Sequence, residues 1–144
     1  MSKLIYIIAA VSIVLMLGLT ACGGGGAAPA PAPTPTVPIG DAANGEKLFK
    51  ELVLGGSAAG CATCHSLEPG VVIIGPSQSD LADRAATRIE GMSAADYIRQ
   101  SILEPDAYIV EGFTAGLMPQ NFGEILSEDE IDDIVAYTLT LSAK

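Results

Sequence analysis

The chain has 144 residues, a length that fits a single domain. It carries 17 acidic and 7 basic side chains, a formal net charge of −10, and this excess argues against binding to nucleic acid or, through charge, to anionic lipid. Two interpretations of the charge stay open. It favours a partner with a basic docking face, or it only keeps an exported protein soluble.

The first 21 residues have the pattern of an export signal. Lys3 precedes an apolar run from Leu4 to Leu19, which is short for a membrane span and fits the core of a signal peptide. The following Leu19-Thr20-Ala21-Cys22 resembles the lipobox of bacterial lipoproteins, in which the cysteine becomes the lipidated first residue. We therefore predict a signal peptide over 1–21, lipid on Cys22, and a location on the outer face of the bacterial cytoplasmic membrane. An uncleaved anchor helix is the alternative, and it would also export and tether the chain.

Residues 22–40 are low in complexity and cannot bury a core. Four consecutive glycines, Gly23 to Gly26, precede an alternation of alanine, proline and threonine up to Pro38. The stretch predicts a spacer between the lipid and a folded domain over 41–144. Alternatively, it lies along the surface of a larger assembly.

Helical patterns separated by glycine and proline fill the domain, and no run of alternating apolar residues indicates a strand. The apolar run Val71–Ile74 is too short for a helix, and we expect an irregular segment that packs against something apolar. Residues 106–123, with three glycines and a proline, are predicted to be a loop. The predicted helices are Asp41–Leu54, Asp80–Ile89, Ser93–Leu103 and a last one that begins at a capping box of Ser127 and Glu130.

The run Cys61-Ala62-Thr63-Cys64-His65 is the attachment signature of c-type haem. The two thiols add to the vinyl groups of the porphyrin as thioethers, and the adjacent imidazole ligates the iron. His65 is the only histidine in the chain, so no other imidazole is available. Three alternatives stay open for the motif alone. They are a zinc site that lacks its fourth ligand, a thioredoxin-like pair outside the expected βαβ context, and a simple disulfide or chance match.

Methionine supplies the candidates for a second iron ligand. Met1 and Met16 lie in the signal, which leaves Met92 and Met118. Met92 precedes a capping serine and is more typical of a surface or gap-filling position. Met118 lies in a glycine-rich loop before Pro119, where its thioether can reach over the face of a haem. The alternative role for Met118 is core filling.

In the order of its motifs, the domain resembles a class I monohaem cytochrome c over nearly its whole length. The motifs that carry the resemblance are Gly45-x-x-x-Phe49 in the first helix, Cys61-Ala62-Thr63-Cys64-His65, Gly75-Pro76, Gly116-Leu117-Met118-Pro119 and the capped last helix with Tyr137. The resemblance implies an all-α fold, in which three to five helices wrap around one covalently bound haem c. It also implies that the first and last helices cross at Gly45, with Phe49 and Tyr137 near the contact.

The same resemblance implies the residues of the haem site. The carbonyl of Pro76 is expected to accept the N–H of the proximal imidazole, and Met118 is expected to be the distal ligand. The chain has no tryptophan, so a propionate bonded by that side chain in some relatives needs another partner, for which Tyr97 and Tyr108 are candidates. The expected haem-binding residues are Cys61, Cys64, His65, Pro76 and Met118, of which His65 and Met118 ligate the iron.

With both axial positions filled, we expect one-electron transfer between Fe(III) and Fe(II) rather than catalysis on a substrate. The chain is therefore predicted to be an electron-transfer protein and not itself an enzyme. It would act as a tethered carrier or as a subunit of a respiratory or photosynthetic quinol-oxidising complex, and it is similar to the small cytochrome subunit of alternative complex III. The alternative function is a haem-based ligand sensor or catalytic domain, in which Met118 dissociates to open the iron.

Overall fold

The computed structural model describes residues 40–143 of the chain. The predicted signal peptide, the lipid on Cys22 and the linker up to residue 39 lie outside the described residues, so these remain predictions. Within the described range, no helix has both the length and the apolar character needed to cross a membrane.

Six helices and one short hairpin make up the described part of the chain, which has the expected all-α class. This is one helix more than the predicted three to five, because single turns are included. The longer helices are α1 (Ala42–Lys50), α4 (Ala94–Leu103) and α6 (Glu128–Thr138). The short ones are α2 (Cys61–Cys64), α3 (Leu81–Ala85) and α5 (Phe122–Ile125). In the hairpin, β1 (Val53–Leu54) pairs antiparallel with β2 (Ala58–Ala59).

The first helix begins as predicted and ends early. The side chain of Asp41 accepts hydrogen bonds from the backbone of the first turn, which satisfies donors that have no partner within a helix. The helix ends at Lys50 rather than at Leu54, because Glu51 adopts an extended backbone with a ψ of 140° and leads into the hairpin. Gly55 and Gly56, with φ angles of 55° and 71°, form the turn between its strands. Strands of two residues each are too short to show alternation, so the sequence pattern did not reveal them.

Helices α1 and α6 cross at Gly45, as the family resemblance implied. A Cβ atom at this position would lie 1.8 Å from the backbone oxygen of Asp133, so only glycine permits this close approach. The rings of Phe49 and Tyr137 pack together with their centroids 5.4 Å apart. Asn44 donates a hydrogen bond of 2.7 Å from Nδ2 to Oδ2 of Asp133. The crossing therefore joins the two ends of the domain.

Helix α4 packs against α6, and charged side chains link the two. Both helices begin at their predicted serine caps, Ser93 and Ser127. The guanidinium of Arg99 on α4 forms ion pairs with Glu128 and Asp132 of α6. The buried apolar core includes Tyr97, Ile98, Ile102, Ile131, Ile134 and Val135.

The segments between the long helices differ from their predictions at three points. Helix α3 covers about half of the predicted Asp80–Ile89, and α5 begins inside the predicted loop 106–123. Val71–Ile74 is irregular as predicted, but its side chains are 41–59% exposed instead of packed. Backbone bonding holds this run in place, since the N–H of Ile74 donates to the oxygen of Cys64 at 3.2 Å.

Candidate functional site

Irregular segments, together with side chains of α4 and α6, enclose a cleft with a volume of ≈ 170 Å³. One water molecule takes up roughly 30 Å³, so the cleft has room for a larger ligand. We call residues 60–78 the histidine segment and residues 105–119 the methionine loop. Side chains from both line the same cleft, together with the apolar residues Phe49, Ile98, Ile102, Phe122 and Ile134.

The single turn of α2 presents both cysteines to the cleft. Cys61 and Cys64 occupy positions i and i+3, which lie on one side of a helix, and both line the cleft as free thiols. The backbone N–H of His65 closes the turn by donating to the oxygen of Cys61 at 2.9 Å. Burial raises the pKa of the Cys61 thiol to about 11, so this sulfur is protonated at neutral pH. The pair is therefore placed to bond one ligand at two points.

His65 follows the turn and packs directly against Gly75. A Cβ atom on Gly75 would lie 2.4 Å from Cε1 of the imidazole, so a side chain there would displace the ring. Nδ1 lies 2.9 Å from the carbonyl oxygen of Pro76, to which it donates. Burial lowers the pKa of His65, which favours the neutral ring. A neutral imidazole with its proton on Nδ1 has Nε2 available as a metal ligand.

A second polar side chain reaches the same ring nitrogen. Gln78 is only 8% exposed, and its Nε2 lies 2.9 Å from Nδ1 of His65 and 3.1 Å from the oxygen of Pro76. Its backbone N–H donates to the oxygen of Ser66 at 2.8 Å, which fixes the start of the side chain. Gln78 was not predicted from the sequence as a site residue. The only signal for it was its position two residues after Pro76.

The methionine loop brings Met118 to the cleft. Met118 is half-buried, packs against the core and lines the cleft together with Pro119. Oδ1 of Asp106 accepts a hydrogen bond of 2.9 Å from the backbone N–H of Gly116, and this bond spans the loop. Gly116 has a φ of 76°, in the left-handed region that favours glycine. The position of Met118 therefore depends on a turn and on one carboxylate.

The residues predicted from the sequence to bind haem meet in this cleft. Its lining includes Cys61, Cys64, His65, Pro76 and Met118. Met92, the other candidate thioether, packs against the core and does not line the cleft. Two thiols, an imidazole and a thioether thus surround one apolar space, and this set of groups fits haem c.

Polar groups also line part of the cleft. Arg84 donates from Nη2 to the oxygen of Ser77 at 2.7 Å and pairs through Nε with Asp80 at 2.9 Å. Tyr97 and Tyr108 form an edge-to-face pair with centroids 5.7 Å apart. A guanidinium and phenol groups suit the carboxylates that haem carries as propionates. The tyrosines were considered from the sequence, whereas Arg84 was missed because its short helix carries no motif.

A family model described as cytochrome c matches residues 42–142. Because the match covers more than half of the chain, the chain belongs to the cytochrome c family. No curated protein matches the chain significantly. Membership establishes a class I cytochrome c fold, covalently attached haem c and haem-based electron transfer as the family's function. Among the alternatives that the motif alone left open, it therefore selects haem over zinc, a redox dithiol or a disulfide.

Proposed function

We propose that this cytochrome c is a one-electron carrier whose iron is ligated by His65 and Met118. The observation that carries the proposal is that these side chains come from separate segments and line one cleft. The contact of 2.9 Å between Nδ1 of His65 and the oxygen of Pro76 supports it, because this contact leaves Nε2 for the iron. When bound, the haem supplies the Fe(III)/Fe(II) couple.

The side chains around the cleft would set how easily an electron is gained or lost. Apolar residues of α4 and α6 would shield a bound haem from water, which disfavours extra charge at the iron. The soft sulfur of Met118 would stabilise reduced iron and raise the midpoint potential. Iron held by both His65 and Met118 would have no ligand position open for a substrate. Electron transfer is therefore preferred over ligand sensing.

Replacement of Met118 tests the ligation. We expect low-spin oxidised iron with a sulfur-to-iron charge-transfer band in the wild type, and loss of this band in Met118→Ala. The midpoint potential of the variant should fall by more than about 59 mV, which is a tenfold change in a one-electron equilibrium. Met92→Ala is the matched control and should keep both properties, since Met92 does not line the cleft. High-spin oxidised iron in the wild type, with rapid binding of CO to the reduced form, would contradict the carrier and support the ligand sensor.

The proposed membrane attachment is supported by the first 40 residues of the sequence. Removal of residues 1–21 and lipidation of Cys22 would leave the domain on a spacer at the outer face of the bacterial cytoplasmic membrane. We expect the wild type to incorporate labelled fatty acid, and Cys22→Ser to incorporate none while its haem content stays as in the wild type. A wild-type protein that incorporates no labelled fatty acid and still stays in the membrane fraction would instead favour an uncleaved anchor helix.

The proposed partner is a redox protein with a basic docking face or a multi-subunit quinol-oxidising complex. Support comes from the formal net charge of −10. Purification from membranes at low and at high salt separates the two arrangements. A carrier docked by charge should separate from its partner at high salt. A fixed subunit, such as the small cytochrome of alternative complex III, should co-purify with the complex at both salt concentrations.

A further inference from the structure

The buried amide of Gln78 lies behind the proximal imidazole and has no role in the site as proposed so far. It contacts two atoms that themselves form a hydrogen bond, Nδ1 of His65 at 2.9 Å and the oxygen of Pro76 at 3.1 Å. The backbone on both sides is held. The N–H of Gln78 donates to Ser66 at 2.8 Å, and the hydroxyl of Ser77 donates to the oxygen of Glu68 at 2.7 Å. The amide is therefore aimed at the ring by a rigid segment.

Ligation of the iron determines which atom of the amide can face the ring. If Nε2 of His65 binds iron, the proton of the neutral imidazole is on Nδ1, and Nδ1 is then a donor. An amide NH₂ group at 2.9 Å would oppose one donor with another. A half-turn of the amide exchanges its oxygen and nitrogen: it gives up the N–H donation to the oxygen of Pro76 and places Oε1, an acceptor, in front of Nδ1. The two acceptor oxygens then lie about 3.1 Å apart, with the Nδ1–H proton directed between them.

We propose that Gln78 is a positioning residue for the proximal ligand: its Oε1 and the oxygen of Pro76 together accept the Nδ1–H of His65. A second acceptor draws the proton further from the ring and makes the imidazole a stronger electron donor, as hydrogen-bond partners behind a metal-bound histidine do. Oxidised iron is stabilised as a result, and the midpoint potential is lower than with the backbone carbonyl alone. The inference deepens the proposed function and rests on ligation by His65.

Two substitutions of Gln78 in the haem-loaded protein test the inference. Gln78→Leu removes the acceptor at similar volume, and Gln78→Asn keeps a polar amide that is one methylene too short to reach Nδ1. Both variants should shift the one-electron equilibrium toward Fe(II) by threefold to tenfold, where tenfold corresponds to about 59 mV in midpoint potential. Gln100→Leu on α4 is the control and should leave the potential unchanged, because Gln100 does not line the cleft.

The Nδ1–H proton of the reduced protein gives a second readout by NMR. Loss of one acceptor should move its resonance upfield and speed its exchange with water in both Gln78 variants. If only Gln78→Leu raises the potential, the effect is one of general polarity, and the inference is overturned. If Gln78→Leu does not accumulate with haem, Gln78→Asn decides alone: a raised potential supports the shared hydrogen bond, and an unchanged one overturns it.

Failure of the inference and failure of the proposed function give different spectra. A wild-type protein without low-spin iron would overturn the ligation and the role of Gln78 together. A normal low-spin spectrum with the methionine band, beside unchanged potentials in both Gln78 variants, would overturn the role of Gln78 only.

Discussion

The histidine segment and the methionine loop line the same cleft but are held in different ways. In the histidine segment, backbone groups bond to one another: the N–H groups of Ile74 and Gly75 both donate to the oxygen of Cys64, at 3.2 Å and 2.9 Å. In the methionine loop, the connection across the loop is made by a side chain, through the bond of Asp106 to the N–H of Gly116 at 2.9 Å. The histidine segment is thus held by backbone–backbone hydrogen bonds, whereas the methionine loop is held by the exposed carboxylate of Asp106.

This difference indicates separate roles for the two segments. The ring of His65 is oriented by contacts with Pro76 and Gly75 of its own segment, so its orientation does not depend on the methionine loop. A loop with few internal hydrogen bonds opens at a lower free energy, and the methionine loop would therefore depend more on the proposed bond between Met118 and the iron. We expect changes in the histidine segment to affect assembly and stability, and changes in the methionine loop to affect access to the iron.

The largest effect is expected when the ligand shared by both segments is removed. In Cys61→Ser/Cys64→Ser, no thioether forms and the apolar lining of the cleft loses its contacts with haem. A ligand that binds only the folded state stabilises it by about 4 kcal/mol at a concentration of 1,000 Kd, and loss of the haem is expected to remove an effect of this size. This is a large part of the roughly 5–15 kcal/mol that stabilises a domain. Denaturant unfolding and far-UV circular dichroism should show a strongly reduced free energy of unfolding and helical signal.

Haem staining after denaturing electrophoresis should be absent from the same double variant. Cys22→Ser is its control, because Cys22 lies outside the attachment motif, and it should retain both haem and stability. A double variant with the helical signal and free energy of unfolding of the wild type would show that the segments hold their arrangement without a common partner.

A smaller effect is expected when only the histidine segment is changed. In Gly75→Ala, the new Cβ would lie 2.4 Å from Cε1 and 2.7 Å from Nδ1 of His65, and a ring held by a metal cannot move away. Overpacking of this kind lowers the free energy of unfolding by about 1–3 kcal/mol. Gly123→Ala is the control, since its Cβ would meet only a flexible leucine methyl at 3.1 Å. Equal denaturation midpoints for the two variants would mean that the ring of His65 yields to an added methyl as easily as the side chain of Leu103 does beside α5.

The smallest effect is expected in the methionine loop. Asp106→Ala removes the acceptor for the N–H of Gly116, a hydrogen bond of about 1 kcal/mol. A loop that opens more easily by 1 kcal/mol should speed the binding of added imidazole to oxidised iron by about fivefold, with little change in global stability. Asp106→Asn keeps an acceptor and should be less affected. Glu111→Gln, an exposed charge change in the same loop, should bind imidazole at the wild-type rate; if it is accelerated as much as Asp106→Ala, charge rather than the hydrogen bond controls the loop.

The parts of the site that were predictable from sequence are those with a local pattern. The attachment site can be recognised from the sequence, because it requires two cysteines within one helical turn and a histidine directly after them, here Cys61, Cys64 and His65. Arg84 and Gln78 were not predicted, since each reaches the site only after the chain has folded back on itself. The exposure of Val71–Ile74 was also not predicted, because an apolar run says nothing about the backbone bonds that hold it.

By itself, the sequence determined the all-α class, the haem-attachment residues and the serine caps of α4 and α6, because each depends on groups within a few residues of one another. The tertiary structure alone decided that Gln78 faces the proximal ring, that Arg84 joins the cleft and that Asp106 spans the loop of Met118. These contacts depend on how close different segments lie in space, and the separation of residues along the chain does not give that distance.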